Sequence, residues 1–193
     1  QTIMRDFPDY VPNTYLQYYL YPEQVVARLD PDHTRTEEVK NGREKRVITQ
    51  CKQAACQKST RGLTIAKSEA HADMIVDVAS SIAYNKGETF IMITRNYNTV
   101  TNFHEDAMVE TVAHVGKDGV TAVPFGEIDV FMKGLMEGQY AYEHLTVDSY
   151  FEGSYKKALQ ALTLNRTMVD AQKARAVLDD LIDANQRYWP ELK

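Results

Sequence analysis

The sequence is short of cysteine, of net positive charge and of long apolar runs, and each shortage removes a class of protein. Its two cysteines, Cys51 and Cys56, share one helical-looking stretch. At about 100° per residue they point to different faces, so neither a disulfide nor a shared metal site is expected, and both read as reduced thiols. A formal net charge of -5, with no Lys/Arg block, leaves no footprint for nucleic acid. Nothing approaches the roughly 20 apolar residues of a membrane span, and no signal-peptide core opens the chain, so a cytoplasmic setting is expected. The Gly-rich phosphate loop, the Gly-x-Ser-x-Gly elbow, His-Glu-x-x-His and paired Cys-x-x-Cys are all absent, as are internal repeats.

What is present is ordinary for a globular chain of 193 residues: 44% hydrophobic and 25% charged. That length fits one large domain, or a domain with an added arm, with ample core. Gln1 to Asp9 is polar and unpatterned and has no initiator Met, which suggests a fragment or a processed product. Val11 to Leu29 is dense in aromatics, with Tyr15, Tyr18, Tyr19 and Tyr21 between Pro12 and Pro22. Pro22 suits the first position of a helix through Val25, Val26 and Leu29, which Asp30-Pro31-Asp32 then breaks. A charged amphipathic helix is expected from Thr36 towards Gln57, with Gly42 blurring its start, and a loop over Ser59 to Gly62.

Ser68 to Tyr84 carries Met74, Ile75, Val78, Ala79 and Ile82 at helical spacing. Strands are expected over Thr89–Ile93, Met108–Val115 and Val120–Val123, the last two paired across the Gly116–Gly119 turn. Three closing helices are expected: a short one over Ile128–Met136, a longer one over Val147–Leu162, and the longest over Val169–Tyr188. The last has Ala174, Val177, Leu178, Leu181 and Ile182 as its core stripe and Asp179, Asp180 and Asp183 on its solvated face. Helices, a few antiparallel strands and helices again define an α+β domain.

Pattern alone singles out no catalytic set. His33, His71, His104, His114 and His144 never fall at i,i+4 spacing to one another, so no local zinc site is written. A carboxylate pair can perform glycosidase acid/base work, but nothing marks one pair here. On spacing alone Tyr15 is one more packed aromatic, and Arg35 a surface ion pair with Glu37 or Glu38.

The segment Val11-Pro12-Asn13-Thr14-Tyr15-Leu16-Gln17-Tyr18-Tyr19-Leu20-Tyr21-Pro22 resembles glycoside hydrolase family 4, in particular its 6-phospho-α-glucosidases. Asp32-His33-Thr34-Arg35 with Glu38-Val39 and Gly42-Arg43-Glu44, then His71-Ala72 with Ile75-Val76-Asp77 and Ile82-Ala83-Tyr84-Asn85, extend the likeness. Asn102-Phe103, Ala107-Met108-Val109-Glu110, Lys133-Gly134-Leu135-Met136-Glu137, Ala184-Asn185 and Trp189-Pro190-Glu191-Leu192 carry it to the end. The chain departs from it at Asn96-Tyr97-Asn98, where close members often read Asn-Asn-Gly. Asn tolerates positive φ best among non-glycine residues, so that turn can still form.

The resemblance implies a lactate-dehydrogenase C-terminal-domain-like α+β fold, several helices on a small antiparallel sheet. Residues 1–10 would be the linker from a missing N-terminal NAD-binding Rossmann domain, and 11–193 the C-terminal substrate and oligomerisation domain. NAD and Mn²⁺ would serve the full-length enzyme, held upstream, with none expected on this chain alone. The implied reaction hydrolyses 6-phospho-α-glucosides such as maltose 6′-phosphate by oxidation at C3, deprotonation at C2 and elimination of the aglycone, followed by reversal; it lies outside the two-carboxylate scheme. Tyr15 matches the base. A phenol ordinarily ionises near pH 10, so a neighbouring metal or Arg would be needed to favour the phenolate. Arg35 matches the residue that binds the sugar phosphate through its planar fork of donors. His33 would shape the same loop, while His71 could face the active site or the partner domain. A homo-oligomer, dimer or tetramer, is also implied. The alternatives are a 6-phospho-β-glucosidase or other family specificity, or a binding or oligomerisation module without catalysis.

Overall fold

The computed structural model describes residues 2–57 and 70–193. The loop expected over Ser59–Gly62 lies outside them, as does Ser68. The chain divides into two compact units, one of Gln1–Pro22, Ile93–Thr111 and Val123–Lys193, the other of Glu23–Met92 and Val112–Ala122.

The first unit opens with α1 (Thr2–Asp6), a helical turn where no pattern was expected. Side chains bring order to this polar segment. Phe7 stacks on Phe131 at 5.2 Å, and the Tyr10 hydroxyl donates to Asp129 at 3.0 Å. After α2 (Leu16–Leu20), the unit's weight lies in α7 (Val130–Glu152), α8 (Tyr155–Leu164) and α9 (Ala171–Ala184), each packed on the next. Each has a side-chain N-cap. Asp129 accepts from the Phe131 and Met132 amides, Ser154 from Lys157, and Asp170 from Lys173.

The closing helices divide differently from the expectation. One 23-residue helix replaces the break expected between Met136 and Val147. Gly134 and Gly138 interrupt the apolar pattern there but do not end the helix. The true stop is Gly153, in the left-handed region at φ 63°, with Ser154 starting α8. In α9, Ala174 and Leu178 are buried as the stripe requires, while Leu181 stays partly exposed; Asp179, Asp180 and Asp183 face solvent. The C-terminal residues fold back: the Lys193 amide donates to the Gly153 carbonyl at 2.7 Å, and the Tyr155 amide to the Lys193 carbonyl at 3.1 Å. Trp189, Pro190 and Leu192 line an apolar cavity of about 390 Å³ with Leu162, Leu178 and Leu181.

The second unit begins in α3 (Pro22–Val26), which ends three residues before Leu29. Next comes an unbroken helical rod: α4 (Arg35–Glu37), a π-helical turn (Glu38–Glu44) and α5 (Lys45–Cys56). Thr34 caps it in a reciprocal box with Glu37. Cys51 and Cys56 are both exposed thiols. α6 (Ala70–Ala83) matches the expected middle helix, yet Ile75 and Val76 remain 69% and 65% exposed. Its anchor is polar: buried Ser81 donates to the Val115 carbonyl at 2.6 Å and accepts from the Glu88 amide at 3.1 Å.

The three-stranded sheet has the order β1 (Glu88–Arg95), β2 (Met108–Gly116), β3 (Gly119–Ala122). β2 and β3 form the expected antiparallel hairpin, with Ala113 opposite Ala122 and Gly116 opposite Gly119. Helices with a small antiparallel sheet make this an α+β fold, as anticipated. Among the described residues no helix is long and apolar enough to cross a membrane.

Candidate functional site

Tyr15 sits at the start of α2, in the first unit, and its position is set by Asn13. The Asn13 Oδ1 accepts from the Tyr15 amide at 2.9 Å and from the Leu16 amide at 3.0 Å, an Asx turn that launches the helix. Gln17 reinforces it by donating to the Thr14 carbonyl at 3.0 Å. The Tyr15 ring is 68% exposed and stands 6.4 Å from that of Tyr18. Tyr19 is more covered, and its carbonyl accepts from Arg166. The aromatic segment is therefore uneven. Tyr15 presents its ring to solvent, whereas Tyr21 is tied through its hydroxyl to Asp6 at 2.7 Å.

Arg35 lies in the second unit, at the first position of α4. Tyr15 and Arg35 thus belong to different units, each held by its own local contacts. The Arg35 Nη1 donates to Glu38 at 2.6 Å, the ion pair expected from spacing alone. That pair forms one side of a recess of about 550 Å³, lined by Arg35, Glu38, Val39, Gly42, Arg43 and Arg46. Arg46, in the first turn of α5, shares this recess with Arg35.

His33 is exposed in the turn before the rod, its amide donating to Asp30 at 3.1 Å. His71 is exposed on α6. Neither has a side-chain contact that points to chemistry. The fold assembles instead a group that spacing could not reveal. His104 and Tyr140 stack at 4.2 Å, and His144 lies 4.3 Å from the same tyrosine ring. The Tyr140 hydroxyl donates to Asp106 at 2.9 Å, and His104 Nε2 meets Glu137 at 2.7 Å. The hydrogen bond from Tyr140 holds the Asp106 carboxyl below its ordinary range, while burial, with Asp106 second, raises the tyrosine. This group fastens the loop after β1 to α7. At the Asn96-Tyr97-Asn98 departure the positive φ falls on Tyr97, at 47°, and not on an asparagine. Asn96 is fully buried and committed to the loop, with its Oδ1 accepting from the Val100 amide at 2.7 Å.

Among the described residues neither a metal nor a dinucleotide finds a matching donor set. Among the described residues no group of three or more His, Cys, Asp or Glu side chains converges where a metal ion could be held. The glycine turn at Gly116–Gly119 closes a hairpin and opens no helix, so it makes no phosphate cradle.

The family model of the family 4 glycosyl hydrolase C-terminal domain matches residues 1–168, and the chain belongs to this family. It is 46% identical over 193 residues to phospho-alpha-glucosidase PagL of Clostridium acetobutylicum, covering 98% of this chain and 43% of PagL. It is 45% identical over 185 residues to the maltose-6′-phosphate glucosidase of Bacillus subtilis strain 168, covering 96% and 41% respectively. The crystal structure of a 6-phospho-alpha-glucosidase from gut microorganisms, in complex with NAD and Mn²⁺, is similar with a TM-score of 0.93. That protein is 47% identical, and the match covers 100% of this chain and 44% of that one. The chain spans less than half the length of these relatives.

Proposed function

We propose that this chain is the substrate-side part of a 6-phospho-α-glucosidase that cleaves maltose 6′-phosphate and related phosphorylated α-glucosides. The observation that carries this reading is the identity to two phospho-α-glucosidases along nearly the whole chain. In this reading residues 1–10 lead from an upstream NAD-binding domain, and 11–193 form the substrate and oligomerisation domain. NAD and Mn²⁺, bound by the related enzyme of known structure, belong to the upstream domain. The full-length protein is cytoplasmic and a homo-oligomer; the exposed Ile75 and Val76 of α6 support an interface beyond this chain.

Two residues carry this chain's share of the chemistry. Tyr15, as phenolate, takes the C2 proton of the sugar, and its exposed ring and the Asn13 turn suit a group that must reach a ligand. Arg35 holds the 6-phosphate through its guanidinium donors. The test uses the full-length protein with NAD and Mn²⁺ on p-nitrophenyl α-glucoside 6-phosphate and on its β-anomer. Turnover of the α-anomer is expected. Exclusive turnover of the β-anomer would replace the specificity, and robust turnover by this chain alone would overturn the upstream placement of cofactor and metal. Tyr15→Phe should lower kcat by about 10²–10⁴-fold and stop exchange of the C2 hydrogen with solvent, while glucose 6-phosphate still binds. Retained exchange would remove Tyr15 from the role of base.

A further inference from the structure

We propose that Asn13 is a positioning residue for Tyr15: its uncharged carboxamide fixes the backbone that aims the ring, without setting negative charge beside a group that must itself become negative. The inference rests on the reading of Tyr15 as the base and names a residue that acts through it. One oxygen makes both decisive contacts. The Asn13 Oδ1 accepts from the Tyr15 amide at 2.9 Å and from the Leu16 amide at 3.0 Å. Those two amides lie on either side of the Tyr15 Cα. Together they restrain its φ and ψ, at -89° and -22°, and with them the direction of its Cβ. Gln17 holds the Thr14 carbonyl at 3.0 Å, and the Tyr18 amide donates to the Tyr15 carbonyl at 3.0 Å.

The ring itself has little else to hold it. It is 68% exposed, it meets the Tyr18 ring at 6.4 Å, and its hydroxyl makes no hydrogen bond among the described residues. An exposed side chain without polar partners keeps its rotamer freedom, so the backbone turn is what limits the space it samples. Charge explains the residue type. Asp serves in caps and turns as well as Asn does. Two phenols nearby in the sequence show the effect of a carboxylate: hydrogen bonds to Asp129 and Asp6 raise Tyr10 and Tyr21, away from the phenolate. Asn13 supplies the same acceptor without that opposing charge.

The experiment places Asn13→Ala, Asn13→Ser and Asn13→Asp beside Tyr15→Phe in the full-length enzyme with NAD and Mn²⁺. On p-nitrophenyl α-glucoside 6-phosphate it follows exchange of the C2 hydrogen with solvent, kcat and KM, each across pH. Asn13→Ala should slow exchange and kcat about 10–100-fold, with KM within about twofold of the parent. Ser offers a weaker acceptor for the same turn and should fall between; it decides the matter if circular dichroism shows that the Ala variant does not fold. Asn13→Asp keeps both amide bonds and should regain the rate at high pH. The acid limb of its profile should move upwards, because a carboxylate disfavours the phenolate. A purely structural turn would not move that limb. Parental exchange in the Ala and Ser variants, with Tyr15→Phe inactive, would overturn the positioning and leave the base intact. An unmoved limb in Asn13→Asp would overturn the claim on charge. Parental exchange in Tyr15→Phe would remove the base, and this inference with it.

Discussion

Asn96 shows how much one buried side chain can decide. Its carboxamide accepts from the Val100 amide and donates to the carbonyls of Val100 and His104, both at 3.0 Å. The backbone bonds of Tyr97 to Glu105 and of Asn96 to Ala107 then close the loop. Replacing Asn96 with Ala would orphan buried backbone groups, and a loss of about 2–4 kcal/mol is expected, measurable by denaturant unfolding of the full-length protein. The sequence marks this turn only as an asparagine-rich departure, with positive φ expected on an asparagine. The structure moves the strain to Tyr97, because Asn96 must turn inward, and Tyr97 rests with the Arg95 guanidinium 5.0 Å from its ring centre. Side-chain bonding of that kind has no periodicity and leaves no trace in spacing. Asn13 differs: an asparagine three residues before a helix start is a legible turn signal.

Among the elements, strands and the hairpin were legible because alternation and the Gly116–Gly119 turn agree. The division of the closing helices was not, since a break was expected between Met136 and Val147 while Gly153 performs the stop. Gly153 has two reasons to be glycine. Its φ is +63°, and a Cβ there would approach the Glu191 carbonyl oxygen to 2.8 Å. Gly153→Ala should cost about 1–2 kcal/mol from the left-handed backbone alone and loosen the folded-back C-terminal residues. Hydrogen exchange reads this directly: the amides of Tyr155 and Lys193 should lose protection. Unchanged protection would mean that the tail does not depend on this junction.

For the molecule as a whole, acid and alkali should act through the same tyrosine–carboxylate pairs. Asp129 is held below its ordinary value by the Met132 amide first and by Tyr10 among further donors, and Asp6 by Arg5 and then Tyr21. A lowered carboxyl stabilises the fold above its unfolded pKa and ceases to do so as pH falls through the folded value. Tyr10 and Tyr21 are raised, chiefly by their hydrogen bonds to Asp129 and Asp6. A raised phenol stabilises below its unfolded pKa and ceases to do so as pH rises through the folded one. Stability should therefore fall at both ends, below about pH 4 and above about pH 10. Asp129→Asn should flatten the acid limb in a pH series of thermal unfolding, whereas an unchanged limb would discount the pair. At this scale the candidate site was legible only through resemblance. Tyr15 and Arg35 stand in separate units, and no local spacing links them.

The widened turn in the rod also has a history written into it. A π-helical turn holds one residue more than the α-helix around it, so it behaves as an insertion that the helix has absorbed without breaking. Deleting Asn41 should let the rod rewind as uninterrupted α-helix, with better intrinsic helicity, while leaving the residues after it close to their present direction about the axis. A shortened variant that melts higher in thermal unfolding would show that the extra residue is not kept for stability, and one that melts lower would show that the wider turn is the better packed form.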